Sequence, residues 1–307
     1  MGADGKLLQD KNGEVYQVNL LEKLLVPLLS KLGNLVIDGG ICLNTQRPEW
    51  NDANNALVGQ GLSMVTLYYM RRYVQFLQQL LANEAQTFEL SKEVSEWFAD
   101  TAVALSDVRP LLGLGQISAE QRHKSLAELG QAASRYREAV YSQESYSGKV
   151  DQPVDQILSM LDDALAAIDH SIGTNRRDDG LYHAYNLLDL RQDTVAVDTL
   201  YPMLEGQVAA LSAGAIAPQE VIAVLEALYN SAVYRPGQNS FMLYPDRQLP
   251  GFLAKNCVSA AQVEAIPLLK RMLADGDERI VLRDAEGQHR FNAEFTNVAN
   301  LKAELTL

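Results

Sequence analysis

Arg47-Pro48-Glu49-Trp50-Asn51-Asp52-Ala53-Asn54-Asn55 places two carboxylates, an indole and three amides between apolar segments. Pro48 disfavours helix at Arg47, so the chain is expected to arrive extended and to turn before the apolar run near Leu57. Glu49 and Asp52, three residues apart, then sit at the mouth of that helix, with Asp52 or Asn54 as its N-cap. Two readings stay open at this point. The stretch is either a well-capped helix entrance with a tryptophan plugging the core, or a loop equipped for chemistry.

Working outward, the length of 307 residues allows one large domain or two modest ones with a substantial core. Leu and Ala dominate, and the expectation is a single helical domain over 1–307. A net charge of −13 argues against a nucleic-acid partner and against docking to an anionic membrane, leaving neutral ligands open. Cys42 and Cys257 show no metal-like spacing and no disulfide framework, which points to a reducing cytoplasm and to small buried apolar roles. Met1 to Asp10 has no signal-length apolar core, and no run approaches a membrane span. No cofactor and no metal is expected.

Along the chain, residues 6–17 read as a hairpin turning at Lys11-Asn12-Gly13, and 279–295 as a terminal hairpin about Ala285-Glu286-Gly287-Gln288. Between them the apolar residues recur at helical spacing. Leu20, Leu21, Leu24, Leu25, Leu28 and Leu29 predict a helix that Pro27 should kink or divide. The run from Leu57 to Leu81 is apolar on nearly every side in its first half, and so central. Asp151-Gln152-Pro153 opens a helix with Val154, Ile157, Leu158, Leu161, Leu165 and Ile168 on one stripe. Between Val36 and Leu43 the paired glycines Gly39 and Gly40 allow close backbone approach, with Asp38 as a third acidic group.

Three helix connections are polar and aromatic. They are the opening stretch, Asn175-Arg176-Arg177-Asp178-Asp179-Gly180-Leu181-Tyr182-His183-Ala184-Tyr185-Asn186, and Tyr234 to Arg247. Glu205 and Gln207 follow Tyr201-Pro202 at another helix entrance, where the dipole favours an anion. The reading is an all-α array of antiparallel helices with short β-hairpins at both ends. Helix pairs in a ring and a superhelical solenoid both satisfy the pattern.

Trp50-Asn51-Asp52, inside Pro48 to Asn55, resembles the general-acid loop of carbohydrate enzymes built on the (α/α)6 toroid. Cellobiose phosphorylase and its relatives carry a similar Asp-Trp-Asn-Asp, and the glucosidase domain of glycogen debranching enzymes has a Trp-x-Asp. The resemblance implies an (α/α)6-toroid-like fold, an oligosaccharide or glycoside substrate, and Asp52 as the acid that protonates the glycosidic oxygen. Glu49 stands where cellobiose phosphorylase has an Asp, and Glu205 where an inverting enzyme wants its base. Identities are specific over about ten residues, and fewer helices precede the acid loop than the families have. The array is therefore expected to be incomplete, the C-terminal portion of a longer protein. The phosphorylases' histidine and glycine-rich phosphate loop is not recognisable, which favours hydrolysis.

Inverting cleavage needs one protonated and one ionised carboxyl across roughly 6.5–9.5 Å. A like charge at Glu49 and partial desolvation by Trp50 favour the protonated form of Asp52, while a helix N-terminus favours the ionised form of Glu205. Trp50, Tyr182 and Tyr185 are candidates to stack on sugar faces. Asn51, Asn54, Asn55, Arg177, Asp178 and Gln207 are candidates to bind hydroxyls. His183 is either a hydroxyl ligand or a satisfied, partly buried histidine. From another class, the alternative is a helical-repeat interaction or regulatory domain whose polar loops bind a protein.

Overall fold

The structure is a computed structural model that describes residues 7–10, 12–44, 57–84, 86–113, 115, 117–143, 145–246, 248, 250–251 and 254–306. The chain forms two compact units, Met1–Asp246 and Arg247–Leu307.

In the larger unit, helix α1 (Leu20–Leu32) begins where the Asn19 side chain accepts the Glu22 amide at 2.9 Å, and it runs through Pro27 as one helix. Leu21, Leu25, Leu28, Leu29 and Leu32 form its buried stripe. The following helices are α2 (Met64–Leu81), α3 (Lys92–Leu112), α4 (Ala119–Gln143), α5 (Val154–Thr174), α6 (Leu204–Ser212) and α7 (Pro218–Tyr229). Packing of α2 on α5, and of α3 on both α4 and α5, builds the main core. Tyr68, Leu25 and Leu67 are fully covered there, and each such aliphatic side chain contributes about 1.5–3 kcal/mol of burial energy.

The all-α expectation is corrected: the chain is mixed α/β. Strands β1 (Leu35–Val36), β2 (Gly40–Cys42), β3 (Gly61–Ser63), β6 (Tyr185–Leu190) and β7 (Val195–Thr199) form one antiparallel five-stranded sheet in the order β1-β2-β3-β6-β7. A separate ladder joins β4 (Thr87–Ser91) to β5 (Lys149–Pro153), and a short one joins β8 (Tyr234–Arg235) to β9 (Ser240–Phe241). The reason for the miss is length. Two- and three-residue strands carry no readable period-2 pattern, and their pairing is non-local: Ser63 opposes Tyr185 and Leu62 opposes Asn186. The β6–β7 hairpin, closed by the Arg191 amide on the Thr194 carbonyl at 3.0 Å, begins in the polar connection ending at Asn186 and continues through a span for which the sequence reading names no element.

In the smaller unit, β10 (Cys257–Val258), β11 (Val281–Arg283) and β12 (His289–Phe291) pair in the order β10-β12-β11. Short helices α8 (Ala260–Ala265), α9 (Pro267–Ala274) and α10 (Val298–Glu304) accompany them. Ser259 and Gln262 form a full capping box at the start of α8. Val258, Val263, Leu269, Met272, Ile280 and Val281 make this unit's own small core.

The two cysteines differ. Burial pushes the Cys42 thiol up to about 11, whereas Cys257 is exposed, contrary to its expected buried role. Alkylation by iodoacetamide at pH 8 is therefore expected to modify Cys257 first, with Cys42 roughly 100-fold or more slower until the chain is unfolded. Peptide mapping over a time course reads both rates. Equal rates in the folded chain would show that Cys42 is not held as described.

Candidate functional site

The site lies in the larger unit, at the margin of the five-stranded sheet from which three segments project. The first is the path of β2. At Asp38 the backbone adopts φ 65°, the left-handed region that Asp tolerates better than most side chains. Its carboxylate is buried and accepts from Arg122 Nε at 3.1 Å and from Thr174 Oγ1 at 3.1 Å. His170 Nε2 lies 3.0 Å from Oδ1, off the line that a ring N–H hydrogen bond needs. The Asp38 amide donates to Ser171 Oγ at 3.0 Å and its carbonyl accepts from Asn175 Nδ2 at 2.7 Å. Asn186 Nδ2 donates to the Gly39 carbonyl at 2.9 Å and to Asn175 Oδ1 at 2.8 Å. One buried polar network thus ties the β1–β2 turn to α4, to the end of α5 and to β6.

Next in the chain is Gly40, with φ 116°, where an added Cβ would sit 2.8 Å from the Ser63 carbonyl carbon and oxygen. A side chain is excluded there both by conformation and by contact, so β2 can lie against the start of α2. Past β2, the Leu43 amide donates to the Gly61 carbonyl at 2.9 Å and the Gly59 amide to the Leu43 carbonyl at 2.7 Å. The two arms on either side of the acid stretch are therefore hydrogen-bonded to each other. Glu49, Trp50, Asn51, Asp52, Asn54 and Asn55 lie outside the described residues.

The second segment is 175–186. A turn closes from the Gly180 amide to the Arg177 carbonyl at 3.0 Å, with Gly180 at φ 82°. Downstream, the backbone is clamped from both sides. Gln207 Oε1 accepts the Tyr182 amide at 2.8 Å, and Gln207 Nε2 donates to the Tyr182 carbonyl at 2.7 Å and to Met203 O at 3.0 Å. Tyr68 OH donates to the His183 carbonyl at 2.9 Å, and the Met64 amide to the Ala184 carbonyl at 2.9 Å. Gly206 permits the closest approach: a Cβ there would meet the Ala184 Cβ at 2.7 Å. The Gln207 amide is thus engaged by backbone, and the rings of Tyr182 and Tyr185 are covered by protein.

Arg177 grips Asp179 through Nε at 3.1 Å and Nη2 at 2.9 Å, and donates from Nη1 to the Leu200 carbonyl at 3.4 Å. Burial opposes the Asp179 charge, but the Arg177 hydrogen bonds, the Leu181 amide and the Arg177 charge outweigh it and hold this carboxyl below the usual range. Asp178 beside it is exposed. His183 Nδ1 is buried without a hydrogen-bond partner among the described residues. Burial first, then the Arg177 charge, lowers its pKa against the opposing pull of Leu200 and Asp179.

That direction has a consequence for stability. Below the ordinary histidine value of 6.5 the unfolded chain takes up a proton that folded His183 refuses, so acid in that window favours unfolding. Urea midpoints are expected to fall below about pH 6.5, and His183→Gln, which binds no proton, should flatten that part of the profile. An unchanged profile in the variant would remove His183 from the account.

The third segment is the entrance to α6. Glu205 is in its first turn, partly buried. Leu43 and Leu57, the described residues on either side of the acid stretch, pack in one apolar cluster with Tyr185, Leu200, Tyr201 and Met203, the residue just before α6. The structure therefore gathers the roots of the acid stretch, the loop carrying His183 and the helix carrying Glu205. Asn175, His170 and Arg122 were not singled out by the sequence reading. His170 and Arg122 are single polar residues on helices, and only the buried partner at Asp38 gives them meaning. Among the described residues no group of three or more His, Cys, Asp or Glu side chains is placed to hold a metal ion, and no helix is long and apolar enough to cross a membrane.

Residues 249–307 match the family described as GH149 phosphorylase insertion domain 2, a span that nearly coincides with the smaller compact unit. No curated protein matches the chain. The match relates the chain to glycoside hydrolases and phosphorylases without reaching the larger unit.

Proposed function

We propose that the chain is part of a carbohydrate-active enzyme that cleaves a glycosidic bond with inversion, using inorganic phosphate as the attacking group. The observation that carries this reading is the similarity of residues 249–307 to a phosphorylase insertion domain. It lies in a different part of the chain from the acid stretch, and both point to the same chemistry. The apolar cluster shared by Leu43, Leu57 and Met203 supports placing Asp52 and Glu205 at one cleft.

In the proposed step Asp52 gives its proton to the glycosidic oxygen, the bond from that oxygen to the anomeric carbon breaks, and a phosphate oxygen bonds the same carbon from the opposite face. The products are a sugar 1-phosphate, a free sugar and the Asp52 carboxylate. Glu49, Trp50, Asn51, Asn54, Asn55, Arg177, Asp178, Tyr182, His183, Tyr185 and Gln207 shape the sugar site directly or through the backbone they hold. Phosphate arrives as an anion, so no general base is required. Hydrolysis is the second reading, favoured by Glu205 in the first turn of α6, where an ionised carboxylate is stabilised and can activate water.

The test is incubation of the full chain with a panel of disaccharides, with inorganic phosphate and without it, followed by NMR of the products. Sugar 1-phosphate of inverted configuration, formed only with phosphate, is the expected result. Free reducing sugars at equal rates in both buffers would select hydrolysis. Neither product from any disaccharide would overturn the reading.

A further inference from the structure

The smaller unit has a cavity of its own. On its three-stranded sheet Val281 opposes Phe291 and Arg283 opposes His289. Opposed residues, and residues two apart on a strand, share a face. Arg283 and His289 therefore stand on the same side of the sheet as Val281 and Phe291, the side that carries this unit's small core. Where that core ends, a guanidinium and an imidazole take the place of apolar side chains. They border an open space of about 480 Å³, together with Glu264 of α8, Lys270 of α9, and Asp277 and Glu278 just after α9. The volume falls in the range of small-molecule sites.

The charges on this rim are not equivalent. Lys270 Nζ lies 2.6 Å from the Glu264 carboxylate and Arg279 Nη2 lies 2.7 Å from that of Asp277, so both of these acids have a cation. Arg283 has no carboxylate within ion-pair distance among the described residues, and its Nη2 meets His289 Nε2 at 3.3 Å. That contact leaves most of its five N–H donors unspent. Arginine stays charged at every working pH, so the rim presents a lasting positive end beside His289 and an acidic end at Asp277 and Glu278.

We propose that this cavity binds a sugar phosphate, the phosphate monoester of a hexose. Its phosphate lies on Arg283 beside His289, and its hydroxyls donate to the carboxylates of the rim. A guanidinium fork matches two phosphate oxygens, and an ionised carboxylate only accepts, through several lone pairs, which suits a hydroxyl-rich ring. Simpler ligands fit one end only. A neutral sugar leaves the Arg283 charge unanswered, and a bare phosphate is repelled by the three carboxylates without using them. The class includes the sugar 1-phosphate of the proposed reaction, and the assignment stands without that reaction.

The test is calorimetric titration of the full chain with glucose 1-phosphate, glucose 6-phosphate, glucose and inorganic phosphate at one ionic strength. One of the two sugar phosphates is expected to bind at least roughly tenfold more tightly than inorganic phosphate, with no binding of glucose in the same range. Arg283→Gln should weaken that binding by roughly 10–100-fold, as for loss of charge-assisted hydrogen bonds. Arg271→Gln, at an exposed arginine outside the cavity lining, should keep it. In the unmodified chain the His289 ring resonance, assigned through His289→Gln, should shift along the same saturation curve, which separates this site from sugar phosphate bound in the larger unit. No binding of either sugar phosphate, unchanged affinity in Arg283→Gln, an unmoved His289 resonance at saturation, or inorganic phosphate binding as tightly as both sugar phosphates overturns the proposal.

Discussion

Asp52→Asn is expected to lower turnover of a responsive disaccharide by about 10²–10⁴-fold, the range that general acid catalysis contributes, while sugar binding stays within a few-fold. Asparagine keeps the size and most of the hydrogen bonding of aspartate but has no proton to give to a departing oxygen. The loss should depend on the leaving group. A substrate whose departing alkoxide is already stabilised, such as an aryl glycoside, needs little protonation and should retain much of its rate in the variant. Steady-state kinetics on a disaccharide and a nitrophenyl glycoside separate the two cases. An equal loss on both would assign Asp52 a role other than acid.

Asp38→Ala is expected to cost about 3–5 kcal/mol of stability, as for removal of one partner of a buried ion pair. The Arg122 and Asp38 side chains are 16% and 9% exposed, so Arg122 would keep its charge with little water to answer it. Alanine also fits poorly at φ 65°. Asp38→Asn separates the two contributions, because asparagine accepts the left-handed backbone and offers an amide oxygen to Thr174 while removing the charge. The expected order of urea midpoints is Asp38, then Asn, then Ala. Equal midpoints for Asn and Ala would mean that the charge carries the whole effect and the backbone none. Since β2 leads from this turn toward the acid stretch, both variants are expected to lower activity through misplacement of that path.

The two predictions rest on different kinds of legibility. Asp52 is proposed from local identity alone, because a proline, a tryptophan and clustered amides and acids within nine residues are unusual together. Asp38 was visible only as one more acid near paired glycines. Its meaning comes from Arg122, His170, Ser171 and Thr174, none of which its neighbours in the chain could suggest. Gln207 shows the same limit in reverse. Its type suggested a hydroxyl ligand, yet the fold engages its amide with the backbone of Tyr182 and Met203.

The sequence by itself determined several of the helices, as the stripe behind Asp151-Gln152-Pro153 shows: the structure forms that helix at Val154–Thr174. The helix expected from near Leu57 instead begins at Met64, capped by Ser63 at the end of a short strand. A helix closes its hydrogen bonds within four residues, and its buried face repeats every turn, so both signals are local. Gly40 was likewise marked by type, but what it avoids, Ser63, was not, and the close approach of Gly206 to Ala184 had no signal in the sequence. Only the tertiary structure decided the five-stranded sheet and the buried network beneath it. Ser171 lies 133 residues from Asp38, and Asn186 lies 147 from Gly39. Strands of two or three residues and single buried polar side chains draw their stability from partners at that distance, and no window of sequence contains both ends of such a bond.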